Sequence, residues 1–179
     1  VDMAIMGRPP RVPPVQSATL GEHPHIMIAS KENKLINLLK EKAKINKTTL
    51  KNAFINEIFL VREQGSGTRI LLDRFLDEIG LGAIFSRKEM TSTETIKQAV
   101  MANLGIALIS KIAVEKEINQ GSLVNLHIPS FPIIRQWYLV HPIKRRLSPA
   151  AEIIKKFLIL NKKNLLKSEK SRNKLFVPT

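Results

Sequence analysis

The stretch Phe59-Leu60-Val61-Arg62-Glu63-Gln64-Gly65-Ser66-Gly67-Thr68-Arg69 joins an apolar run of strand type to an amphipathic helix through a turn spaced by glycines. Glycine lets the backbone fold back with its N–H groups converging, and the helix that follows brings the positive end of its dipole to the same place. Around Gly65 and Gly67, the hydroxyls of Ser66 and Thr68 add donors, so the junction suits a phosphate or a carboxylate. A second reading stands beside that one: Ser66 or Thr68 simply caps the helix running to about Ile79.

Working outward, Leu72, Phe75, Leu76 and Ile79 share one helical face ahead of Gly80, which suits a C-terminal cap. A strand is predicted near residues 84–90. Thr91 and Glu94 then have capping-box spacing in front of Ile96, Ala99 and Val100, in a helix that Gly105 ends. Residues 106–109 read as the next strand, 112–118 as a helix, and 123–126 as a strand following the Gln120-Gly121 turn. A late strand at 137–140 precedes Ser148-Pro149, which opens a closing helix with Ile153, Ile154, Phe157 and Leu158 on its inner face. Upstream, a strand at 58–61 is preceded by a short capped turn at 48–54, a helical turn at 35–39 and a strand at 25–29. The residues up to Gly21 read as an irregular, Pro-rich connection, and 1–6 as a buried strand stopped by Gly7-Arg8-Pro9-Pro10. Strands that alternate with helices predict parallel-sheet α/β packing.

At 179 residues, 44% of them apolar, the chain can bury a sizeable core in one domain or two small lobes. Cysteine is absent, which rules out a disulfide framework, a thiolate metal site and a cysteine nucleophile. No apolar run approaches a membrane span and residues 1–6 lack the basic start of a signal peptide, so a soluble intracellular protein without membrane contact is expected. The formal charge of +14 is unevenly placed: residues 144–179 hold 11 basic and 2 acidic side chains, 31–51 hold 7 and 2, and the remainder is neutral. A solvated basic extension explains the tail better than a nucleic-acid arm, because no aromatic side chains interleave with its lysines.

Enzyme signatures are missing. The glycine turn is no Gly-x-x-x-x-Gly-Lys-Ser/Thr loop, and no third glycine completes a Gly-x-Gly-x-x-Gly fingerprint. His23, His25, His127 and His141 show no metal-ligand spacing beside a carboxylate cluster, and no serine sits in a Gly-x-Ser-x-Gly elbow. Neither a catalytic residue nor a metal site is assigned.

Three stretches together carry a family resemblance. They are Asp2-Met3-Ala4-Ile5-Met6-Gly7-Arg8-Pro9-Pro10, the run from Phe59 to Arg69, and Ile96-Lys97-Gln98-Ala99-Val100-Met101-Ala102 with Leu104-Gly105-Ile106-Ala107-Leu108-Ile109-Ser110. In this order they resemble the effector-binding half of a LysR-type transcriptional regulator, from residue 1 to about 158. With Ile134-Arg135-Gln136-Trp137-Tyr138 the pattern is similar to the subgroup that regulates Rubisco and Calvin-cycle operons, plastid-encoded members included.

The resemblance implies an α/β fold of two Rossmann-like lobes of periplasmic-binding-protein type, with the first lobe incomplete and an effector in the cleft between them. Mapped on this chain, residues 1–29 are the remnant of the first lobe and its crossover, 30–135 the second lobe, 136–160 the return crossover and closing helix, and 161–179 a basic tail. It further implies an anionic metabolite such as a sugar phosphate, phosphoenolpyruvate or NADPH, with no bound cofactor. Effector contacts are then expected from Gly7 and Arg8, from Gly65, Ser66, Gly67 and Thr68, and from Thr91, Ser92 and Thr93. Capping explains at least one hydroxyl of the last group as well. Dimers or tetramers, promoter DNA reached through a helix-turn-helix that this chain lacks, and a cytoplasmic or plastid-stromal location belong to the intact regulator. Poor stability of its own is expected of the first lobe. The other readings are a solute-binding protein of the same fold and a small phosphate-ester or nucleotide enzyme.

Overall fold

The computed structural model describes residues 2–40, 45–82 and 84–165. In chain order it contains β1 (Ala4–Met6), β2 (Val15–Ser30), α1 (Leu35–Lys40), α2 (Lys47–Phe54), β3 (Ile58–Arg62), α3 (Gly67–Glu78), β4 (Ser86–Met90) and α4 (Thr93–Met101). There follow β5 (Ala107–Ser110), a 3-10 turn (Lys111–Val114), α5 (Glu115–Asn119), β6 (Leu123–Asn125), β7 (Ile133–Pro142) and α6 (Pro149–Leu165). Two compact units result, one of residues 25–133 and the other of 1–24 with 134–179.

In the unit 25–133, side-chain alternation along three strands makes two cores. Met27 and Ala29 of β2, Phe59 and Val61 of β3, and Ile106 and Leu108 at β5 join one cluster with Leu35, Phe54, Leu72, Phe75 and Leu76 from α1, α2 and α3. Ile26 and Ile28, Leu60, and Ala107 and Ile109 turn the other way, onto Ile96 and Val100 of α4, Val114 and Leu123. A strand covered on both faces must be apolar at consecutive positions, which is why Phe59-Leu60-Val61 reads as an unbroken run.

β3 and β4 are parallel, in register from Ile58 opposite Ser86 to Arg62 opposite Met90. A parallel bridge links Phe59 to Ile106, just before β5. Among the described residues, the expected parallel packing is found at these pairings. β2 runs antiparallel to β5 and to β6, with Ile28 paired to Ala107 on one side and to Asn125 on the other.

In the other unit β1 is antiparallel to β7, Ala4 opposite Val140 and Met6 opposite Tyr138. Trp137 stacks on His23 with ring centroids 4.0 Å apart and planes 18° off parallel. Ser148 starts α6, its hydroxyl accepting from the Ala151 N–H at 3.3 Å and donating to the Asp2 carboxylate at 3.0 Å.

Four local expectations are corrected. β1 is short and its Ile5 is 51% exposed, so in place of the buried strand expected over 1–6 the described residues 2–6 are only partly covered. Residues 15–21 are not an irregular connection but the first half of β2, whose pairing partner supplies order that the prolines around it hid. The cap of α4 is Ser92, one residue later than the Thr91–Glu94 spacing suggests, and Glu94 pairs instead with Gln98 and Lys97. On α6, Ile153, Ile154 and Phe157 face outward. Gly105 lies past the end of α4, where a side chain would strike the carbonyl of Ile58, so it serves close helix-to-strand packing.

Candidate functional site

Because β3 and β4 are parallel neighbours, α3 and α4 both start from the carboxyl end of the same strand pair. Ligands in open α/β sheets bind at that end, where helix N-termini present unsatisfied N–H groups. The two helix starts differ in how far the chain itself satisfies them.

At α4 the Ser92 hydroxyl accepts from the Thr95 N–H at 3.5 Å, and Glu94 supplies an acidic group in the first turn. At α3 the N-cap is Ser66, extended at φ −63° and ψ 135°, yet its side chain makes no capping hydrogen bond and the first turn contains no acid. The turn before it depends on Gly65, whose φ of +89° is a left-handed conformation that L side chains rarely take. Thr68 Oγ1 lies 3.4 Å from Nε2 of His25, a buried residue on β2. Of the two readings open at the glycine turn, capping by the Ser66 hydroxyl is thus not used, and Thr68 is held toward β2.

Between the two helix starts sits Arg62, the last residue of β3. Its Nε and Nη2 donate to the two oxygens of Glu63, each at 2.7 Å, and its Nη1 donates to Thr93 Oγ1 at 3.0 Å. Hydrogen bonding to Glu63 raises the guanidinium above its ordinary pKa, against partial burial that works the other way. The same pair, together with the backbone N–H of Glu63, holds the Glu63 carboxyl below the usual carboxylate range.

The unit 25–133 therefore carries Gly65, Ser66, Gly67, Thr68, Thr91, Ser92 and Thr93 on two neighbouring turns, with Thr91 and Ser92 exposed. Gly7 and Arg8 follow β1 in the other unit, where Arg8 is exposed. Arg69 is buried, with Nε donating to Asp73 at 2.7 Å and Nη1 to the Arg62 carbonyl at 3.3 Å, so it braces α3 and leaves Glu63 to Arg62. Sequence reasoning did not single out Arg62 or His25. Arg62 had a readable signal, a strand-ending arginine next to the glycine turn; His25, 43 residues from its partner Thr68, had none. Among the described residues no group of three or more His, Asp or Glu side chains is placed to hold a metal ion.

Residues 1–159 match the family model described as the LysR substrate binding domain. The HTH-type transcriptional regulator CbbR of Cereibacter sphaeroides is 46% identical over 151 residues, 84% of this chain and 46% of that protein. The RuBisCO operon transcriptional regulator of Allochromatium vinosum is 38% identical over 159 residues, 89% of this chain and 50% of that protein. The chain thus spans about half the length of these relatives. Among solved structures, the regulatory domain of CcmR from Synechocystis PCC6803 in complex with 2-PG superposes with a TM-score of 0.73 at 27% identity, covering 92% of this chain and 74% of that one.

Proposed function

The chain belongs to the LysR family of transcriptional regulators, in which it is the effector-binding domain, and from that premise we propose that its glycine turn receives the anionic part of a small metabolite. The observation that carries this reading is the start of α3, where Ser66 occupies the capping position without capping and no carboxylate offsets the helix dipole. An oxyanion there meets the first N–H groups of a twelve-residue helix and the hydroxyl of Ser66. Ser92, Thr93 and the Arg62 fork lie at the end of the same strand pair and extend the polar surface.

The compact unit 25–133 is, in this reading, the second lobe of the effector-binding fold. The metabolite class is a phosphorylated or carboxylated compound such as phosphoenolpyruvate or a sugar phosphate. The chain acts as a sensor and not as a catalyst, and its ligand works by differing in affinity for two arrangements of the protein. The controlled genes are those for Rubisco, as the name of the Allochromatium vinosum relative suggests, and with them Calvin-cycle genes. Oligomers form, and promoter DNA is read by a helix-turn-helix domain such as those relatives are named for. The compartment is the one holding that promoter, the cytoplasm or a plastid stroma. Among the described residues no helix is long and apolar enough to cross a membrane.

Titration of the purified chain with phosphoenolpyruvate and with 2-PG by calorimetry tests the assignment. Ser66→Ala combined with Thr68→Ala should weaken binding by about 1–3 kcal/mol, the value of hydrogen bonds to a charged group. Unchanged affinity in a double variant that keeps the wild-type circular dichroism would remove these hydroxyls from the site.

A further inference from the structure

We propose that Glu63 is a built-in competitor for the effector: its carboxylate fills the Arg62 fork and is displaced when a tetrahedral oxyanion binds there. This rests on the anion reading of the glycine turn and adds to it the group that sets the affinity.

Arg62 offers a planar fork of the kind that grips two oxygens at once, and Glu63 fills it with both carboxylate oxygens at 2.7 Å. The third guanidinium nitrogen is on Thr93 at 3.0 Å. Glu63 thus takes the place in which two oxygens of a phosphate would fit. As the next residue in the chain it is always within reach, so pairing costs no loop closure.

Two features make the contact exchangeable. The side chains are 26% and 37% exposed, so water and solutes reach both partners. An ion pair at that exposure is weak, and a phosphate dianion, with more charge than a single carboxylate, outcompetes it for the fork. While the pair is closed its net charge is zero. Opening it frees a full positive charge beside Thr93, the first residue of α4. Arg69 cannot play this part, because Asp73 and the Arg62 carbonyl hold it against α3 and β3.

The test is a thermodynamic cycle read by calorimetry with inorganic phosphate and phosphoenolpyruvate on the full chain. Glu63→Gln, which keeps the side-chain shape and removes the charge, should tighten binding by roughly three- to tenfold. In an Arg62→Gln background the same change should give little or no gain, since no fork remains to be released. Equal or weaker binding by the Glu63→Gln protein would make the pair a fixed brace of Thr93 and overturn the competitor role, leaving the anion reading intact. A gain of the same size without Arg62 would show plain charge repulsion and overturn it too. Failure of the wild type and of both variants to bind either compound would overturn the inference together with the site.

Discussion

Gly105 separates α4 from β5, and a methyl group on its Cα would run into the carbonyl of Ile58 and press on Leu60. Both obstacles belong to β3, whose Phe59, Leu60 and Val61 are almost completely buried, so the strand has no room to retreat. Gly105→Ala should therefore lower stability by about 1–3 kcal/mol, read as a lower denaturant midpoint. An unchanged midpoint would mean that β3 yields. That this glycine ends a helix was legible in the sequence; its close approach to β3 shows only once Ile58 and Leu60 are placed beside it. The choice between Arg62 and Arg69 as the partner of Glu63 was not legible. It depends on the direction each side chain takes from the end of β3 and the first turn of α3, and Asp73, four residues beyond Arg69 on the same helix face, decides it.

The helices α3 and α4 leave one strand pair in similar ways and differ in the chemistry of their first residues. Ser92 closes α4 on itself, whereas Ser66 leaves α3 open. Ser92→Ala should cost about 1 kcal/mol in urea unfolding, the usual value of a lost cap. Ser66→Ala should stay within about 0.5 kcal/mol of wild type. The opposite ranking would make Ser66 the structural residue and weaken its assignment to a ligand. At this scale the sequence was informative wherever an element shows its own period. The apolar runs of β2, β3 and β5, and the helix between Gly67 and Gly80, are legible from local sequence alone, although which core each strand side chain joins is not. It was less informative where partners decide. β2 extends back to Val15 because β7 pairs with it, an interaction between residues more than a hundred positions apart. On α6 the apolar residues surround the axis, so 3.6-residue spacing could not say which face turns inward; Ala151 is buried, while Ile153, Phe157 and Leu160 are 69%, 56% and 83% exposed.

Across the whole molecule, buried apolar surface is unequally shared between the two units. Residues 25–133 contain both clusters of buried side chains, with Phe54, Phe59, Met27, Ile28, Leu76 and Ile106 wholly inaccessible to solvent. In the other unit the buried residues among those described are Leu20, His23, Leu139, Val140, His141 and Ala151, while Ile5 on β1 and the outer stripe of α6 stay in water. Local opening costs little where few apolar contacts are lost, so protection against hydrogen exchange should follow this division. Amides of Phe59–Val61 in β3 and of Ala107–Ser110 in β5 should exchange most slowly, and those of β1 and α6 faster by on the order of tenfold or more. Hydrogen–deuterium exchange of the intact chain, resolved by mass spectrometry to peptides from each unit, measures this directly. Equal protection factors would mean that the smaller unit gains stability from something other than its own burial. The outer stripe of α6 and the Ile5 side of β1 would then be the first places to look for the contacts responsible, since Ile5, Ile153, Ile154, Phe157 and Leu160 are exposed there.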